Sequence, residues 1–413
     1  MVTVFGLGFV GLTTALGFAH LGYEVYGIDV NRERIGVLQS GELPFCEPHM
    51  KEVLQKHLNT NFFLTEDVRE AVSKSEYVFY CVGTPYGENG CADLSYLFSA
   101  IDTTIEAIND DKFRVLVTKS TIPPSTTAEK IYPYVQAKGE VAQRIGVANN
   151  PEFLREGHCW KDFIEADRIV LGCNDELSAQ MLTKLYEPMN LPTLVVSHST
   201  GEFIKYLSNT LLATLISYSN EMAQVADCIG DIDIARAFKI LHMDKRWNNC
   251  NMTSYVYPGC GYGGYCLPKD TCALYAQAKE KGFDPQILKN VIRTNEGRAE
   301  VIADKIVENM DKNVAIGVLG LSFKPESDDV RDTPAAKIIN ALVEKGYHKF
   351  YTYDPIAMEE FKNKYKDLDV IYCDSMQEVY DSSDVVAIVT AWDEFKAVRT
   401  LGDKLVVDCR YML

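Results

Sequence analysis

Residues 2–29 constrain the fold more than any other stretch. Val2-Thr3-Val4-Phe5 reads as a strand, Gly6-Leu7-Gly8-Phe9-Val10-Gly11 as a glycine turn, and Leu12 to Leu21 as an apolar helix. Gly22 closes that helix, and Glu24 to Asp29 reads as a second strand ending in an acid. A G-x-G-x-x-G run alone is weak evidence. With a strand before it, a helix after it and an acid closing the next strand, it predicts a dinucleotide-binding unit. The glycines permit a tight turn and let backbone approach a pyrophosphate, whose charge meets the helix N-terminus. Gly6, Gly8, Phe9, Val10 and Gly11 are therefore the candidate cradle. Asp29 would accept hydrogen bonds from ribose hydroxyls, and an acid there disfavours a 2′-phosphate, so NAD is expected over NADP. Arg34, five residues further on, complicates this reading and is grouped with the cofactor set.

Strand-like runs recur at Tyr77–Val82, Val115–Thr118, Ile145–Ala148 and Ile169–Leu171, with helical stretches between them. Such alternation predicts an α/β fold with a doubly wound parallel sheet. From about Thr200 the pattern changes. Residues 200–229 form a long apolar-rich helical run, with more helix predicted over Thr271–Ala278 and Pro285–Val307. Alternation resumes at Val314–Leu319, Pro334–Lys345, Phe350–Tyr353, Val385–Val389 and Leu405–Val407. The expected architecture is two Rossmann-like doubly wound domains joined by a long central helix and a helical region. The boundaries fall at 1–198, 199–305 and 306–413. The turn Gly320 to Pro325 lacks the glycine fingerprint, so a second dinucleotide is not expected there.

At 413 residues the chain is long enough for two or three domains. A formal net charge of -17 argues against a nucleic-acid partner. No apolar run reaches membrane-spanning length, and no signal peptide precedes Val2, so a cytoplasmic protein without a membrane is expected. The twelve cysteines include no C-x-x-C, and Cys260, Cys266 and Cys272 have no histidine partners, so no metal is expected. Most are read as small buried hydrophobes.

Cys266 is the exception. It ends the run Pro258-Gly259-Cys260-Gly261-Tyr262-Gly263-Gly264-Tyr265 and precedes Leu267-Pro268-Lys269-Asp270. The glycines let backbone approach a ligand. A helix starting near Asp270 would leave Cys266 just before a helix N-terminus and close to Lys269, both of which favour a thiolate. A thiol flanked by a cation and a base suits covalent chemistry on a carbonyl. Lys269 could instead hold a phosphate or a cofactor amide. The turns Val82-Gly83-Thr84-Pro85 and Lys119-Ser120-Thr121-Ile122-Pro123 follow strands, where α/β sheets bind ligands, and so offer Thr84 and Thr121. Glu152 and Glu156 would share one face if 149–157 were helical. Glu202, Lys205 and Asn209 stand at helical spacing, and Lys205 and Asn209 read either as the wet side of an amphipathic helix or as groups aimed at a cleft.

Gly6–Gly11 with Asp29, Asn150–Gly157, Lys205 through Asn209, Gly259–Asp270 and Phe323-Lys324 with Asp328-Asp329-Val330-Arg331-Asp332 together resemble the UDP-glucose/GDP-mannose dehydrogenase family. The resemblance spans essentially the whole chain. It implies an NAD domain, a central helical homodimerisation region and a sugar-nucleotide domain, with two successive oxidations at a sugar C6. By the same resemblance, Asp270 with Thr121 and a water helps remove the hydroxyl proton. Cys266 captures the aldehyde as a thiohemiacetal that becomes a thioester. Lys205 stabilises the oxyanion and Asn209 orients the same oxygen. Glu152 activates the hydrolytic water, with Glu156 nearer the cofactor and the order of the two left open. Phe153, Leu154, Arg155, Tyr255, Gly263, Phe323 and Lys324 would line the sugar nucleotide. Lys269 and Arg331 would stand on the cofactor side, and Arg246 would reach the neighbouring subunit's substrate.

The substrate this implies is UDP-glucose, with GDP-mannose or a UDP-N-acetylhexosamine as alternatives. Trp247–Tyr257 looks longer than in close UDP-glucose enzymes, and that segment bears on the choice. Two other classes compete. A simple hydroxyacid dehydrogenase shares the N-terminal fold and a Lys–Asn pair but has no cysteine loop. A nucleotide-binding sensor would leave Cys266 idle.

Overall fold

A computed structural model describes residues 1–85, 87, 92–244 and 255–413. The chain divides into two units, Met1–Ser208 and Asn209–Leu413.

The first unit is built on eight strands. They are β1 (Val2–Phe5), β2 (Val25–Ile28), β3 (Phe62–Leu64), β4 (Tyr77–Tyr80), β5 (Arg114–Thr118), β6 (Ile145–Asn149), β7 (Ile169–Cys173) and β8 (Thr193–Val196). Their order is β3-β2-β1-β4-β5-β6-β7-β8. β1, β2, β4, β5, β6 and β7 are buried along their whole length, as strands covered by helices on both faces must be. Two apolar cores result. One gathers Val2, Val4, Leu12, Leu16, Phe18 and Leu171. The other gathers Phe5, Tyr80, Leu97, Ile101 and Leu116. One pairing departs from an all-parallel sheet: β6 and β7 run antiparallel, Asn149 facing Gly172.

The second unit carries β9 (Ile316–Leu319), β10 (Phe350–Tyr353), β11 (Ile371–Tyr372), β12 (Val385–Ile388) and β13 (Leu405–Asp408), in the order β11-β10-β9-β12-β13. Every pair is parallel. This repeats the order of the first five strands of the N-terminal sheet, so both sheets are wound in the Rossmann manner. Helices Cys266–Glu280 and Gln286–Ile306 precede this sheet. The long helix His198–Ile229 begins in the first unit and ends in the second.

The two sheets use one device at the first turn. Asp29, after β2, accepts the Leu7 amide at 2.7 Å. Asp354, after β10, accepts the Leu321 amide at 2.8 Å and the Ser322 amide at 3.1 Å. In each case the preceding glycine, Gly6 or Gly320, has a positive φ of 83° or 96°. The continuations differ. A helix follows at Phe9 in the first unit, whereas in the second the next helix begins only at Pro334. Asp354 is also bonded by the Ser322 hydroxyl and the Trp392 indole N–H.

Most expected elements stand within a few residues of their predicted places. Two differ with consequence. The cysteine helix starts at Cys266 rather than near Asp270, because Pro268 falls in the first turn, where a missing N–H breaks no helical bond. Glu152 and Glu156 share no helical face, because residues 150–158 run as loop and turn. Pro151 biases Asn150 away from helical backbone, and the Glu152 carboxylate takes the Leu154 amide at 2.6 Å.

Candidate active site

In the first unit the fingerprint is shaped for a ligand at one glycine and for packing at two. A Cβ on Gly11 would stand 1.7 Å from the Gly6 carbonyl oxygen. One on Gly6 would meet the Cys81 carbonyl oxygen at 2.8 Å. Gly8 differs, because nothing lies within 4 Å of its Cβ position. Gly8 caps the helix Phe9–His20 without a side chain, and no acid stands in the first turn. The first amides of that helix are thus left for an anion. Phe9 stacks on Phe45, centroids 4.0 Å apart, beside this turn. Val10 lies in the first turn, its carbonyl taken by the Thr14 hydroxyl. Asp29 also receives the Arg34 guanidinium at 2.9 Å. The residues present therefore suit the pyrophosphate and adenosine ribose of a dinucleotide.

At the carboxyl ends of β4, β5 and β6 a second group gathers. Thr118, Thr121, Asn149, Pro151, Glu202 and Lys205 line one cavity. The buried Thr84 hydroxyl donates to the Thr121 carbonyl at 2.9 Å. Lys205 and Glu152 form a buried ion pair at 2.9 Å. Phe153 lies against two cations, the Arg168 guanidinium 4.4 Å and the Lys205 ammonium 5.7 Å from its ring centre. Leu154 and Glu156 are half-buried in the same loop. Arg155 is exposed and makes a two-pronged contact with Asp162, at 2.9 and 2.6 Å. Behind the loop the buried Lys119 donates to Asn150 Oδ1 at 2.7 Å, and Tyr186 donates to the same oxygen. Burial pushes the Lys119 ammonium down to about 8, with Lys205 acting in the same direction and Cys81 and Glu152 opposing.

In the second unit Cys266 is exposed at the first position of its helix. One turn on, Asp270 is fully buried. Its two oxygens are taken separately: Lys269 Nζ donates to Oδ1 at 2.6 Å and Asn209 Nδ2 to Oδ2 at 2.6 Å. Lys269 and Asn209 are themselves buried. The glycine run that leads to Cys266 is fixed from two sides. Asn220 accepts the Gly259 amide, Asn295 exchanges two hydrogen bonds with Tyr262, and Arg298 donates to the Gly259 carbonyl. Gly263 leaves no room for a side chain, because a Cβ would meet the Asp332 carbonyl oxygen at 2.5 Å. Gly264 donates to the Arg331 carbonyl and packs under Phe323. Arg331 binds Asp329 through two nitrogens and lies 4.7 Å from the Tyr265 ring centre. Lys324 stands over Phe323. Tyr255 is half-buried. Arg246 and residues 247–254 lie outside the described residues.

Sequence reasoning left Lys119, Asn149, Arg168, Glu202 and Asn295 without roles. Lys119 sits in the Lys119–Pro123 turn and Glu202 in the same helical run as Lys205, so position alone marks both. Arg168 and Asn295 carry no local signal, since their partners come from other elements.

The nucleotide cradle of the first unit marks a dinucleotide-binding protein, and the second unit separately carries an exposed cysteine at a helix start with a buried lysine–aspartate pair one turn on. The comparisons narrow the class. The NAD binding, central and UDP binding domain models of the UDP-glucose/GDP-mannose dehydrogenase family match residues 1–190, 199–297 and 317–413. A UDP-glucose 6-dehydrogenase of Rickettsia bellii is 38% identical, with 96% of this chain and 90% of that protein covered. Two solved structures are similar. A UDP-glucose dehydrogenase from Pyrobaculum islandicum has a TM-score of 0.91 at 36% identity, covering 99% of this chain and 94% of the other. A UDP-D-ManNAc dehydrogenase from Pyrococcus horikoshii has a TM-score of 0.86 at 28% identity, covering 100% and 96%. The chain belongs to the UDP-glucose/GDP-mannose dehydrogenase family and is an NAD-dependent enzyme.

The glycines give one expectation. G11A forces a clash with backbone and lowers stability by about 3 kcal/mol or more, read from urea unfolding. G8A changes stability by less than about 1 kcal/mol but weakens NADH binding at least about tenfold in a fluorescence titration, since its Cβ enters the open space.

Glu202 gives a second. Burial raises its carboxyl from 4.5 to about 7, against hydrogen bonds from Thr127 and the neighbouring amides. Between those values the fold keeps a proton that the unfolded chain has released, so the parent loses stability as pH rises from 4.5 to 7. E202Q has no such loss. Measured by thermal or urea unfolding, its stability relative to the parent rises across that window by on the order of 3 kcal/mol, then stays level.

Proposed function

We propose that this enzyme oxidises UDP-glucose at C6 to UDP-glucuronate, consuming two NAD and one water. The observation that carries the reading is Cys266 at an exposed helix start, four residues before an Asp270 whose two oxygens are both held. The named relative from Rickettsia and the Pyrobaculum structure support the sugar nucleotide. GDP-mannose and UDP-N-acetylhexosamines are the alternatives.

The roles proposed for the residues are those that the resemblance to the family implies. Bound NAD supplies the hydride acceptor in both oxidations. The C6 hydroxyl proton leaves through a water set by Asp270 and Thr121. The Cys266 thiolate adds to the aldehyde carbon, giving a thiohemiacetal at the sulfur. Loss of a second hydride makes the thioester. Water, activated by Glu152 or Glu156, attacks that carbon, and the C–S bond breaks to release carboxylate and thiolate. Lys205 and Asn209 stabilise the oxyanion, as preorganised charge does in a dry site. The thiohemiacetal holds the half-oxidised sugar on the sulfur while NADH is exchanged for NAD. Gly6, Gly8, Phe9, Val10, Gly11, Asp29, Arg34, Thr84, Glu156, Lys269 and Arg331 form the cofactor set. Phe153, Leu154, Arg155, Arg246, Tyr255, Gly263, Phe323 and Lys324 join the substrate set.

The division 1–198, 199–305 and 306–413 is proposed as NAD domain, helical region and sugar-nucleotide domain, acting in the cytoplasm. No helix among the described residues is long and apolar enough to cross a membrane. The helical region supports a homodimer. Leu211, Tyr218, Val225 and Ile229 recur on one face of the long helix and are exposed, as are Ile240 and Met243. Exposed apolar side chains at this spacing form a surface for a second copy.

Two NADH per UDP-glucose are expected, with none from GDP-mannose or UDP-N-acetylglucosamine, read at 340 nm with limiting sugar. C266A should form no uronate and lose at least about a thousandfold in turnover. One NADH per sugar would sink the covalent route; two NADH from another nucleotide would move the substrate. In light scattering the parent is expected to run as a dimer and the L211D/Y218D pair as a monomer.

A further inference from the structure

We infer that Glu202 is a positioning residue that fastens the start of the Lys205-bearing helix to the loop that carries Thr121. Glu202 stands three residues before Lys205 on the helix His198–Ile229 and is 3% exposed. Its Oε1 accepts the Thr127 amide at 2.7 Å and the Thr127 hydroxyl at 2.6 Å. Thr127 closes the segment that leaves β5 through Ser120 and Thr121. That segment is tied at its other end as well: the Ser120 hydroxyl donates to the Val82 carbonyl, and the Thr121 carbonyl accepts from Thr84.

Two further contacts join the same partners. The Ser125 and Ser199 hydroxyls are 3.0 Å apart, with Ser125 held at a φ of 72°. Asn149, the last residue of β6, donates to the His198 carbonyl at 3.0 Å. A Cβ on Gly201 would lie 2.3 Å from Asn149 Oδ1, so the first turn of the helix packs tightly on the sheet edge. Glu202, Thr121 and Lys205 all line one cavity.

A simpler role is a cap for the short turn that starts at Thr127. Several caps are local, Asp67, Asp175 and Asp233 each closing the helix they precede, while Glu47 reaches the Gly157 amide before the helix Cys159–Ile164 from a distant loop. Here the carboxylate comes from the helix that presents Lys205, so the bond fixes one catalytic element against another. Lys205 is charge-paired with Glu152, and the part of Glu202 is mechanical. Misplacement of a reacting group by about 1 Å can lower a rate about a hundredfold.

The inference rests on Lys205 and Thr121 acting as proposed above, and its test has a readout that does not. Hydrogen exchange of the full-length protein should speed up in residues 120–131 and 198–205 in E202A and in T127V, and stay near the parent in E202Q, which keeps the accepting oxygen. With UDP-glucose and NAD, E202A should lose at least about tenfold in kcat with KM for NAD within about twofold, and E202Q should recover most of it. T127V removes only the hydroxyl bond and should loosen the segments less than E202A, and adding it to E202A should change little further, since E202A has already removed that bond. Unchanged exchange in E202A overturns the inference, whether or not the enzyme turns over UDP-glucose. So does an E202Q as slow as E202A, because the carboxylate would then act by its charge. A parent that makes no NADH while E202A still loosens both segments would leave the fastening in place and refute only the function assigned to it.

Discussion

Charge buried away from water governs the chemistry-bearing parts of this chain. Among the described residues the ion pairs of Lys205 with Glu152 and of Lys269 with Asp270 are almost fully enclosed. Taking four charges out of water is expensive, and their mutual attraction offsets that only when geometry and extra hydrogen bonds are good. Asp270 meets the condition by dividing its oxygens between Lys269 and Asn209. Glu152 meets it by adding the Leu154 amide. Replacing a buried ion pair by apolar side chains of equal volume is often neutral or stabilising, so a buried pair is weak evidence of a stabilising role. Removing one partner would strand the other, which fixes both side chains in place. A reaction that develops negative charge on oxygen needs cations and carboxylates held in advance, and pairing them is how a dry site can keep them.

The two sheets show how one turn is put to different uses. In both, an acid at the end of the second strand grips the amide that follows a positive-φ glycine. After Gly6 the chain enters a helix at once, and the bare Gly8 leaves its first amides accessible. After Gly320 the chain does not enter a helix until Pro334, and the acid is saturated by Ser322 and Trp392. The Thr333 hydroxyl bonds the Leu321 carbonyl and the Thr390 hydroxyl bonds the Ser322 carbonyl, locking the second turn into its own core. The shared strand order is therefore no guide to a shared ligand; the residues that follow the glycine decide it.

The fold was legible because its signals are local. Buried parallel strands read as short apolar runs, and the long helix as an unbroken one. What escaped was set by tertiary contact. The reversal between β6 and β7 depends on how a loop returns, which no periodicity records. The site divides the same way. Gly6, Gly11 and Asp29 carry their role in their spacing. Arg168 on Phe153 and Arg298 on Gly259 join residues far apart in sequence, and no spacing rule connects them.

The cysteines make the same point about function. Cys159, Cys173, Cys260, Cys373 and Cys409 are buried, as small apolar residues are. Burial pushes Cys81 up to about 12 and Cys173 up to about 12, so neither carries a thiolate at neutral pH. Cys46 and Cys266 are exposed. Exposure alone does not separate these two; the element does. Cys266 begins a helix of fifteen residues, where the aligned amides favour negative charge, and Lys269 stands within its first turn. Cys46 lies in a loop outside the helices and strands. Pro268, third in this helix, is tolerated because no amide is needed in the first turn, and it bars the helix from starting a turn or more upstream of Tyr265. The residue that looks like a helix breaker in the sequence is thus compatible with a thiol at the helix end and incompatible with one in the helix interior.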